Sequence, residues 1–299
     1  MRAYFNRQPV AGPWGGGSKV LTSIINECQR RSHEVTYDLK KEVDLIFCFD
    51  PRTDVNSDFY SLLRSRDIYK CKIIQRVGDL GTHGKPELFE LVKYTTQYVD
   101  HVVFPSKWAR DTASVRNKNV HVIPNAPLRD FIVERDARPL GDPIRIVTHH
   151  WSNNTMKGFD VYEKLDNFCK NSGKFSFTFI CRKPDNVVLE NHIQPQDVTG
   201  LTKILPQHDI YVTASRQEAG ANHVLEAMGL GLPVLYHADG GSIVEYCESR
   251  GRGYKDADDL LGMLENEDLS TLLKMPRYTY SSDDMAKSYV DLLERVYAS

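Results

Sequence analysis

Short apolar or β-branched runs alternate with longer amphipathic stretches along most of the chain, and this alternation constrains the fold more than any other feature. It is typical of βαβ units. Runs such as VDLIFCF and CKIIQRV are apolar almost throughout, which suits parallel strands covered on both faces. In the first half the pattern predicts an open α/β sheet, with strands over 2–6, 34–39, 43–49, 71–77, 101–104 and 120–123 and helices over 18–31, 57–66, 86–99 and 106–114.

A proline-rich segment of mixed charge, PNAPLRDFIVERDARPLGDP, interrupts this rhythm and has the composition of a linker. The alternation then resumes, with predicted strands over 144–150, 175–181, 209–215 and 233–238 and helices over 159–170, 221–230 and 242–247. Two helical patterns, 257–265 and 283–297, follow without another predicted strand. We therefore predict one Rossmann-like domain over 1–138, a second over 139–282, and a C-terminal helix over 283–299.

The composition excludes several other classes of protein. Dividing 299 residues by about 150 per domain also gives two domains. Charged residues make up 26% and the net charge is −2, so the chain is neither disordered nor drawn as a whole to nucleic acid. The six cysteines are scattered without a C-x-x-C pair and are predicted to be reduced and buried. Because the sequence has neither an apolar run of about 20 residues nor a signal-peptide core, we expect a cytoplasmic enzyme or binding protein.

Open parallel sheets bind ligands beyond the carboxyl ends of their strands, so chemistry is expected there. After the first strand comes GPWGGGSK, Gly12 to Lys19, at the start of a predicted helix whose amides favour an anion. The loop departs from both sharper nucleotide motifs, because G-x-G-x-x-G needs glycine at Val20 and a P-loop needs lysine before serine. It is either a phosphate cradle or a flexible glycine turn.

The strongest pattern is RQEAGANHVLEAMGLGLPV, which lies between two predicted strands and contains Glu218 and Glu226. If the helix begins near Gly220, the amides of Gly220, Ala221 and Asn222 form a dock for a diphosphate. The two carboxylates would then hold sugar hydroxyls beyond either side of it. The alternative is that Glu226 is an ordinary helix-surface residue and Glu218 a partner of the helix dipole.

The E-x7-E pattern from Glu218 to Glu226, followed by EAMGLGLPV, resembles the donor-site signature of retaining glycosyltransferases of the GT-B fold, family 4 type. The stretches GPWGGGS, SHEVTYDL, VVFPSKWARD, VIPNAP, MKGFDV and HDIYVTAS agree with that family in order. The resemblance implies two Rossmann-like parallel-sheet domains that face each other across a cleft. It also implies the possible return of the helix 283–299 to the first domain.

Carried over to this chain, the resemblance implies that Glu218 contacts the transferred sugar and Glu226 the nucleotide ribose. Gly16 and Gly17 would approach the diphosphate, and Lys157 in MKG would neutralise it as it leaves. The chemistry is consistent, since breaking a sugar–phosphate bond leaves negative charges that a cation and helix amides stabilise. The alternative for Lys157 is an ordinary surface lysine.

One departure from the family concerns an arginine expected five or six residues before Lys157, where Trp151 and Ser152 stand. Arg182, after the strand FSFTFIC, is either its substitute or a surface residue. His149 and His150 end the preceding strand, and each is either a phosphate contact or a neutral histidine satisfied by its surroundings.

On the acceptor side, the strand CKIIQRV ends in GDLGTHGKP, and Arg76, Asp79 and His83 are clustered within eight residues at this strand end. Such a cluster can position an acceptor hydroxyl and take its proton, and a polar turn is the alternative. No His, Cys and Asp cluster has metal-ligand spacing, and the only Asp-x-Asp candidate, Asp256 to Asp258, opens a helix. We therefore expect no metal and no cofactor other than the nucleotide sugar substrate.

The sequence thus predicts metal-independent, retaining transfer of a hexose, pentose or deoxysugar from a nucleotide diphosphate sugar to a hydroxyl. A glycan or other soluble acceptor is favoured, no nucleic acid is expected, and peripheral contact with a membrane stays open. Two alternatives remain: a non-hydrolysing sugar-nucleotide epimerase, and a sugar-nucleotide-binding protein without turnover, which the missing arginine motivates.

Overall fold

In a computed structural model of the chain, which describes residues 1–10, 16–52, 58–134, 139–276 and 278–299, two compact units are present. The first comprises Met1–Ala126 and Ser281–Ser299, and the second comprises Pro127–Tyr280. Each contains a six-stranded sheet in which all paired strands run parallel. The α/β class and the parallel sheets predicted from the sequence are confirmed.

The sheet of the first unit has the strand order β2-β1-β3-β4-β5-β6. The chain therefore builds outward in one direction from β1 and in the other from β3, and β3 is buried along its whole length. The elements are β1 (Arg2–Phe5), α1 (Gly16–Arg30), β2 (Glu34–Thr36), β3 (Leu45–Cys48), α2 (Phe59–Tyr69), β4 (Lys72–Arg76), α3 (Pro86–Thr95), β5 (His101–Phe104), α4 (Lys107–Ala113) and β6 (Val120–Val122).

The sheet of the second unit has the order β12-β11-β10-β7-β8-β9. Its elements are β7 (Ile144–His150), α5 (Phe159–Ser172), β8 (Phe175–Cys181), β9 (His192–Ile193), α6 (Val198–Ile204), β10 (Ile210–Thr213), α7 (Asn222–Gly229), β11 (Val234–His237), α8 (Ser242–Cys247), β12 (Gly251–Tyr254) and α9 (Ala257–Asn266). Side chains alternate between two apolar layers: Ile146 and Val212 pack on the face covered by α5 and α9, and Val147 and Tyr211 pack on the face covered by α7 and α8.

The last helix, α10 (Ser282–Tyr297), belongs to the first unit. Arg31, just after α1, donates to Asp291 at 2.7 Å and to Glu294 at 2.9 Å. The fully buried Tyr289 meets the Phe47 ring edge-on with centroids 6.0 Å apart, and its hydroxyl accepts a hydrogen bond from Arg76 Nε at 3.2 Å. This helix therefore completes the core of a unit that began at the N-terminus.

The division between the units falls earlier than the predicted boundary at 138/139. The 3₁₀ turn Arg129–Phe131 places a fully buried Phe131 in the core of the second unit. Val133 also donates to the carbonyl of Gly229 at 3.2 Å. The mixed-charge composition of this segment resembles a linker, but Leu128 and Phe131 anchor it in the core of the second unit.

The sequence missed β9, α6 and β12. β9 has two residues, and β12 (GRGY) contains two glycines, which weaken any strand pattern. Gly251 is nevertheless required, because a Cβ there would lie 2.6 Å from the carbonyl oxygen of Val234 on the neighbouring strand. The predicted helix over 57–66 begins at Phe59 and extends to Tyr69, and position 57 lies outside the described residues.

All six cysteines are free and buried, as the sequence predicts. Burial raises the pKa of the Cys71 thiol to about 11 and that of Cys169 to about 12, so these thiols stay protonated near neutral pH. Within the described parts of the chain, no helix combines the length and apolar character that crossing a bilayer requires.

The contact between α10 and the sheet predicts a specific cost of substitution. Tyr289→Ala removes a fully buried ring and an acceptor for the buried Arg76 guanidinium, so the free energy of unfolding should fall by about 3–5 kcal/mol. Tyr297→Ala, at a ring that is 52% exposed in the same helix, should change it by less than about 0.5 kcal/mol. Urea unfolding followed by circular dichroism measures both, and equal losses would show that α10 is not anchored through Tyr289.

Candidate functional site

The strand order of the second unit creates a crevice at a defined place. β7 and β10 are neighbours, but the chain leaves them towards opposite edges of the sheet. Connections after these two strands therefore diverge, and ligands of open α/β sheets bind at such switch points beyond the carboxyl ends. The segments that follow β7 and β10 contain most of the predicted donor-site residues.

At the end of β7, His149 contacts one of the two predicted acids. Its Nε2 lies 2.9 Å from Oε2 of Glu226 on α7, and the two residues are only 4% and 5% exposed. The His149 backbone is fixed as well, since its carbonyl accepts from the Tyr211 hydroxyl at 2.8 Å. Glu226 is therefore a buried carboxylate held by an imidazole, not an ordinary helix-surface residue.

Lys157 ends a 3₁₀ turn, Thr155–Lys157, capped by the Asn154 side chain, which accepts from the amide of Met156 at 2.9 Å. Gly158 follows with φ +77°, and a Cβ there would lie 2.4 Å from the carbonyl oxygen of Ala214. Only glycine allows this approach to the end of β10. Lys157 is buried, with 8% of its surface exposed, so it is not an ordinary surface lysine.

The side chain of Lys157 forms an ion pair with Glu218, whose carboxylate Oε1 accepts from the ammonium group. The two side chains are only 10% and 15% exposed, so the pair is largely removed from water. The structure thus brings together the predicted cation and the first acid of the E-x7-E pattern, which lie 61 residues apart in sequence.

The backbone of Glu218 is held by the loop after β11. Its amide donates to Gly240 at 3.3 Å, and its carbonyl accepts from the amide of Ser242 at 2.8 Å. Gly241 lies opposite it with φ +67°, and a Cβ there would lie 2.7 Å from the oxygen of Glu218. The glycine pair after β11 is therefore part of the support of Glu218, which the sequence analysis missed although the GG dipeptide signals it.

The start of α7 differs from the prediction. The helix begins at Asn222 with Ala221 as its N-cap, so Gly220 precedes it. The amide of Ala221 donates to the Ser242 hydroxyl at 3.1 Å and is engaged within the protein. The dock expected from three consecutive amides at Gly220, Ala221 and Asn222 is therefore shifted towards the first helical residue.

Several buried polar atoms around this crevice have no hydrogen-bond partner among the described residues. They are His149 Nδ1, Ser215 Oγ and Asn222 Oδ1. Buried polar atoms are usually paired, because an unpaired one loses its bonds to water without compensation. Such atoms are concentrated on the segments that lead from β7, β10 and into α7, as expected of a surface built to meet a polar ligand.

Arg182, at the end of β8, stacks on Trp151, at the end of β7, with its guanidinium carbon 4.0 Å from the ring centroid. His150 instead packs within the core, where its Nδ1 lies 2.9 Å from the carbonyl oxygen of Ser152. Burial, aided by the charge of Lys157, places the pKa of His150 well below its usual value. His150 is accordingly a neutral packing residue.

In the first unit, Gly16 and Gly17 form the first turn of α1, and Gly12–Gly15 lie outside the described residues. A Cβ on Gly17 would lie 3.8 Å from the Phe49 ring, an ordinary contact, so this position does not sterically require glycine.

The switch point of the first unit lies between β1 and β3, and the sequence analysis did not identify its polar cluster. Asn6 donates to the carbonyl oxygen of Asp50 at 2.5 Å, and Arg7 and Arg52 both pair with the Asp50 carboxylate. Burial acts to raise the pKa of Asp50, but the hydrogen bond and charge of Arg52, together with the charge of Arg7, lower it overall. The only sequence signal was the position of these residues directly after strands.

The predicted acceptor cluster is dispersed. Arg76 is buried between the Phe49 ring, Tyr289 and Asn125, where it serves the core. Asp79 accepts from the amide of Gly81 at 2.8 Å and from Lys85 at 3.0 Å, which is the bonding of a turn. His83 lies in the same turn and is half-buried. Among the described residues, no group of three His, Cys, Asp or Glu side chains is arranged to hold a metal ion.

No protein-family model and no curated protein matches the sequence. Among solved structures, HepE of Anabaena in complex with UDP and glucose is similar with a TM-score of 0.71 at 13% identity, over 99% of this chain and 100% of that one. Sucrose-phosphate synthase of Thermosynechococcus elongatus has a TM-score of 0.71 at 13% identity, over 99% of both chains. AviGT4, a glycosyltransferase involved in avilamycin A biosynthesis, has a TM-score of 0.61 at 14% identity, over 100% and 98% of the two chains. The predicted α/β fold with two Rossmann-like parallel sheets is confirmed and is shared with these solved glycosyltransferase structures, and at these identities the similarity establishes the fold alone.

The support of Glu218 by Gly241 predicts a local steric effect. Gly241→Ala forces a Cβ onto the backbone of Glu218 at positive φ and should lower the free energy of unfolding by about 1–3 kcal/mol. Gly262→Ala is the matched control, because no atom lies within 4 Å of the added Cβ and alanine favours the helix. Urea unfolding should show a loss for the first variant and no loss for the second, and a neutral Gly241→Ala would contradict the proposed packing of the loop.

Proposed function

We propose that this protein is a retaining, metal-independent glycosyltransferase that moves a sugar from a nucleotide diphosphate sugar to an acceptor hydroxyl. The proposal rests on one observation above all. Lys157, Glu218 and Glu226 are gathered at the switch point of the second sheet, each in a largely buried position and with a fixed partner. The similarity to the HepE structure with UDP and glucose supports testing UDP-linked sugars first.

In this proposal Glu226 binds the ribose hydroxyls of the donor and Glu218 the hydroxyls of the transferred sugar. A carboxylate accepts hydrogen bonds from vicinal hydroxyls, and a charged acceptor makes these bonds strong. The contact with His149 at 2.9 Å occupies Oε2 of Glu226 and fixes the direction of the carboxylate. The unpaired oxygen of Asn222 and hydroxyl of Ser215 are further candidates for polar contacts with the donor.

The departing diphosphate accumulates two to three negative charges, and these need stabilisation where they develop. Lys157 provides a positive charge, and the start of α7 provides the positive end of a helix dipole. A cation and amides in fixed places perform the role that a divalent metal has in other transferases. Attack by the acceptor on the face from which the diphosphate leaves then gives retention, without a separate carboxylate nucleophile.

The ion pair between Lys157 and Glu218 is exchanged for contacts with the ligand when a donor binds. A donor that occupies both side chains replaces the pair, because its diphosphate takes Lys157 while its sugar hydroxyls take Glu218. A free nucleoside diphosphate engages Lys157 but leaves the buried Glu218 carboxylate without its cation, at a considerable cost. The pair therefore favours the intact donor over the product that must be released.

Asp79 and His83 remain candidates for positioning the acceptor hydroxyl. Both lie in the loop after β4, at the carboxyl end of a strand in the first unit. The turn contacts of Asp79 with Gly81 and Lys85 hold this loop in shape, which is compatible with a role in positioning.

A panel of UDP-, GDP- and TDP-linked sugars tests the proposed function. We expect at least one to raise the melting temperature, because a ligand bound by the native state stabilises it, and we expect the shift to persist in EDTA. With a panel of acceptors that donor should yield a glycoside whose anomeric configuration, read by NMR, matches that of the donor. Inversion or a requirement for metal would contradict the proposed mechanism, and a new sugar nucleotide formed without acceptor would identify an epimerase.

Two substitutions should separate the roles within the ion pair. Both Lys157→Ala and Glu218→Gln should reduce kcat by about 100-fold or more, because each removes stabilisation of the reacting sugar or leaving group. Their effects on the affinity for free UDP, measured by calorimetry, should have opposite signs: Lys157→Ala weakens it, and Glu218→Gln strengthens it several-fold by freeing the ammonium. Lys164→Ala, at an exposed lysine in α5, is the control. Equal effects of both variants on UDP affinity would refute the proposal that ligand binding replaces the Lys157–Glu218 ion pair.

A further inference from the structure

The stacked pair of Trp151 and Arg182 lies at the same edge of the second sheet as the donor-site residues. His150 and Cys181 form the last register pair of β7 and β8, so Trp151 and Arg182 are the next residues along two neighbouring strands. His150 and Cys181 contact each other on one face of the sheet, with Nε2 and Sγ 3.4 Å apart. His149, two residues before Trp151, lies on the opposite face of the sheet and meets Glu226 on α7, so the stacked pair directly follows the strand end that holds this contact.

The contact with Trp151 restrains the orientation of the Arg182 guanidinium. An exposed arginine samples many rotamers, whereas a guanidinium 4.0 Å above an indole ring is restrained in one plane. Stacking uses only the face of the guanidinium. The N–H groups around its edge keep the fork geometry that binds two oxygens of a phosphate at once.

Two other cations at this edge of the sheet are already paired with carboxylates, so a further positive charge is useful there. The charge of Lys157 is balanced by Glu218, and Arg216, which follows β10, is engaged by Asp160 at 3.0 Å. A diphosphate that carries two to three negative charges needs more positive charge than the Lys157–Glu218 pair supplies on its own. Arg182 adds a full positive charge on the neighbouring strand end.

We propose that Trp151 is a positioning residue that holds Arg182 ready to bind the diphosphate of the donor. This inference rests on the proposed function. It adds a pair of residues at adjacent strand ends, in which Arg182 binds the diphosphate and Trp151 holds Arg182 in place. Trp151 acts through Arg182, so it contributes to recognition of the diphosphate and not to recognition of the base or ribose.

The test compares a nucleoside diphosphate with its nucleoside by titration calorimetry, using UDP and uridine, GDP and guanosine, and TDP and thymidine. Arg182→Ala should weaken diphosphate binding by about 10-fold or more and leave nucleoside binding unchanged. Trp151→Ala should weaken diphosphate binding several-fold, and Trp151→Phe should recover most of it because the ring face is retained. The double variant Trp151→Ala/Arg182→Ala should be no weaker than Arg182→Ala alone.

Tyr278→Ala is the matched control, because it removes the cation–π partner of Arg250, a half-buried pair in the same unit. It should leave the preference for diphosphate over nucleoside unchanged, and circular dichroism melting checks that every variant is folded. If wild-type protein binds diphosphates but Trp151→Ala weakens diphosphate and nucleoside equally, or adds to Arg182→Ala, the positioning role is wrong while the proposed function stands. If wild-type protein binds none of the three diphosphates, the proposed function fails and this inference with it.

Discussion

The reversal of strand order between β7 and β10 is the constraint on which the candidate site depends. Because the chain moves towards one edge of the second sheet after β7 and towards the other after β10, the segments that follow these strands separate and leave a crevice. The 3₁₀ turn of Lys157, the loop of Glu218 and the start of α7 all border this opening. Gly158 allows the turn to approach the end of β10, and Gly241 allows the loop after β11 to approach Glu218.

Within that crevice the charged groups are buried, and their burial is tolerated because each has a partner. Removing a carboxylate from water is costly unless a cation or hydrogen-bond donor compensates it. Lys157 is the partner of Glu218, and His149 is the partner of Glu226. The resulting site is organised before any ligand arrives, and its polar groups are oriented by protein contacts instead of by solvent. Such preorganisation is what the proposed stabilisation of a developing diphosphate charge requires.

Much of the fold could be predicted from the sequence, since long apolar strands such as β7 and β8 and amphipathic helices such as α5 have clear periodicity. β9 and β12 could not, because one has two residues and the other contains glycines whose role depends on a neighbouring strand. The E-x7-E spacing and the MKG turn identified Glu218, Glu226 and Lys157 as candidates. Their pairing could not be predicted, because the ion pair joins positions 61 residues apart and the imidazole contact joins positions 77 apart. Arg76 was misassigned for a related reason: a cation at the end of a strand suggests chemistry, but here α10 covers it.

The return of α10 to the first unit affects how the protein is made. The second unit, Pro127–Tyr280, is continuous in sequence and is synthesised before α10. The first unit holds the N-terminus, yet Arg76 and Phe47 receive their cover only when the final residues, Ser281–Ser299, become available. Domains usually mature in the order of translation. In this chain the later-translated unit can mature first, while the nascent N-terminal sheet waits, incompletely covered, for its last helix.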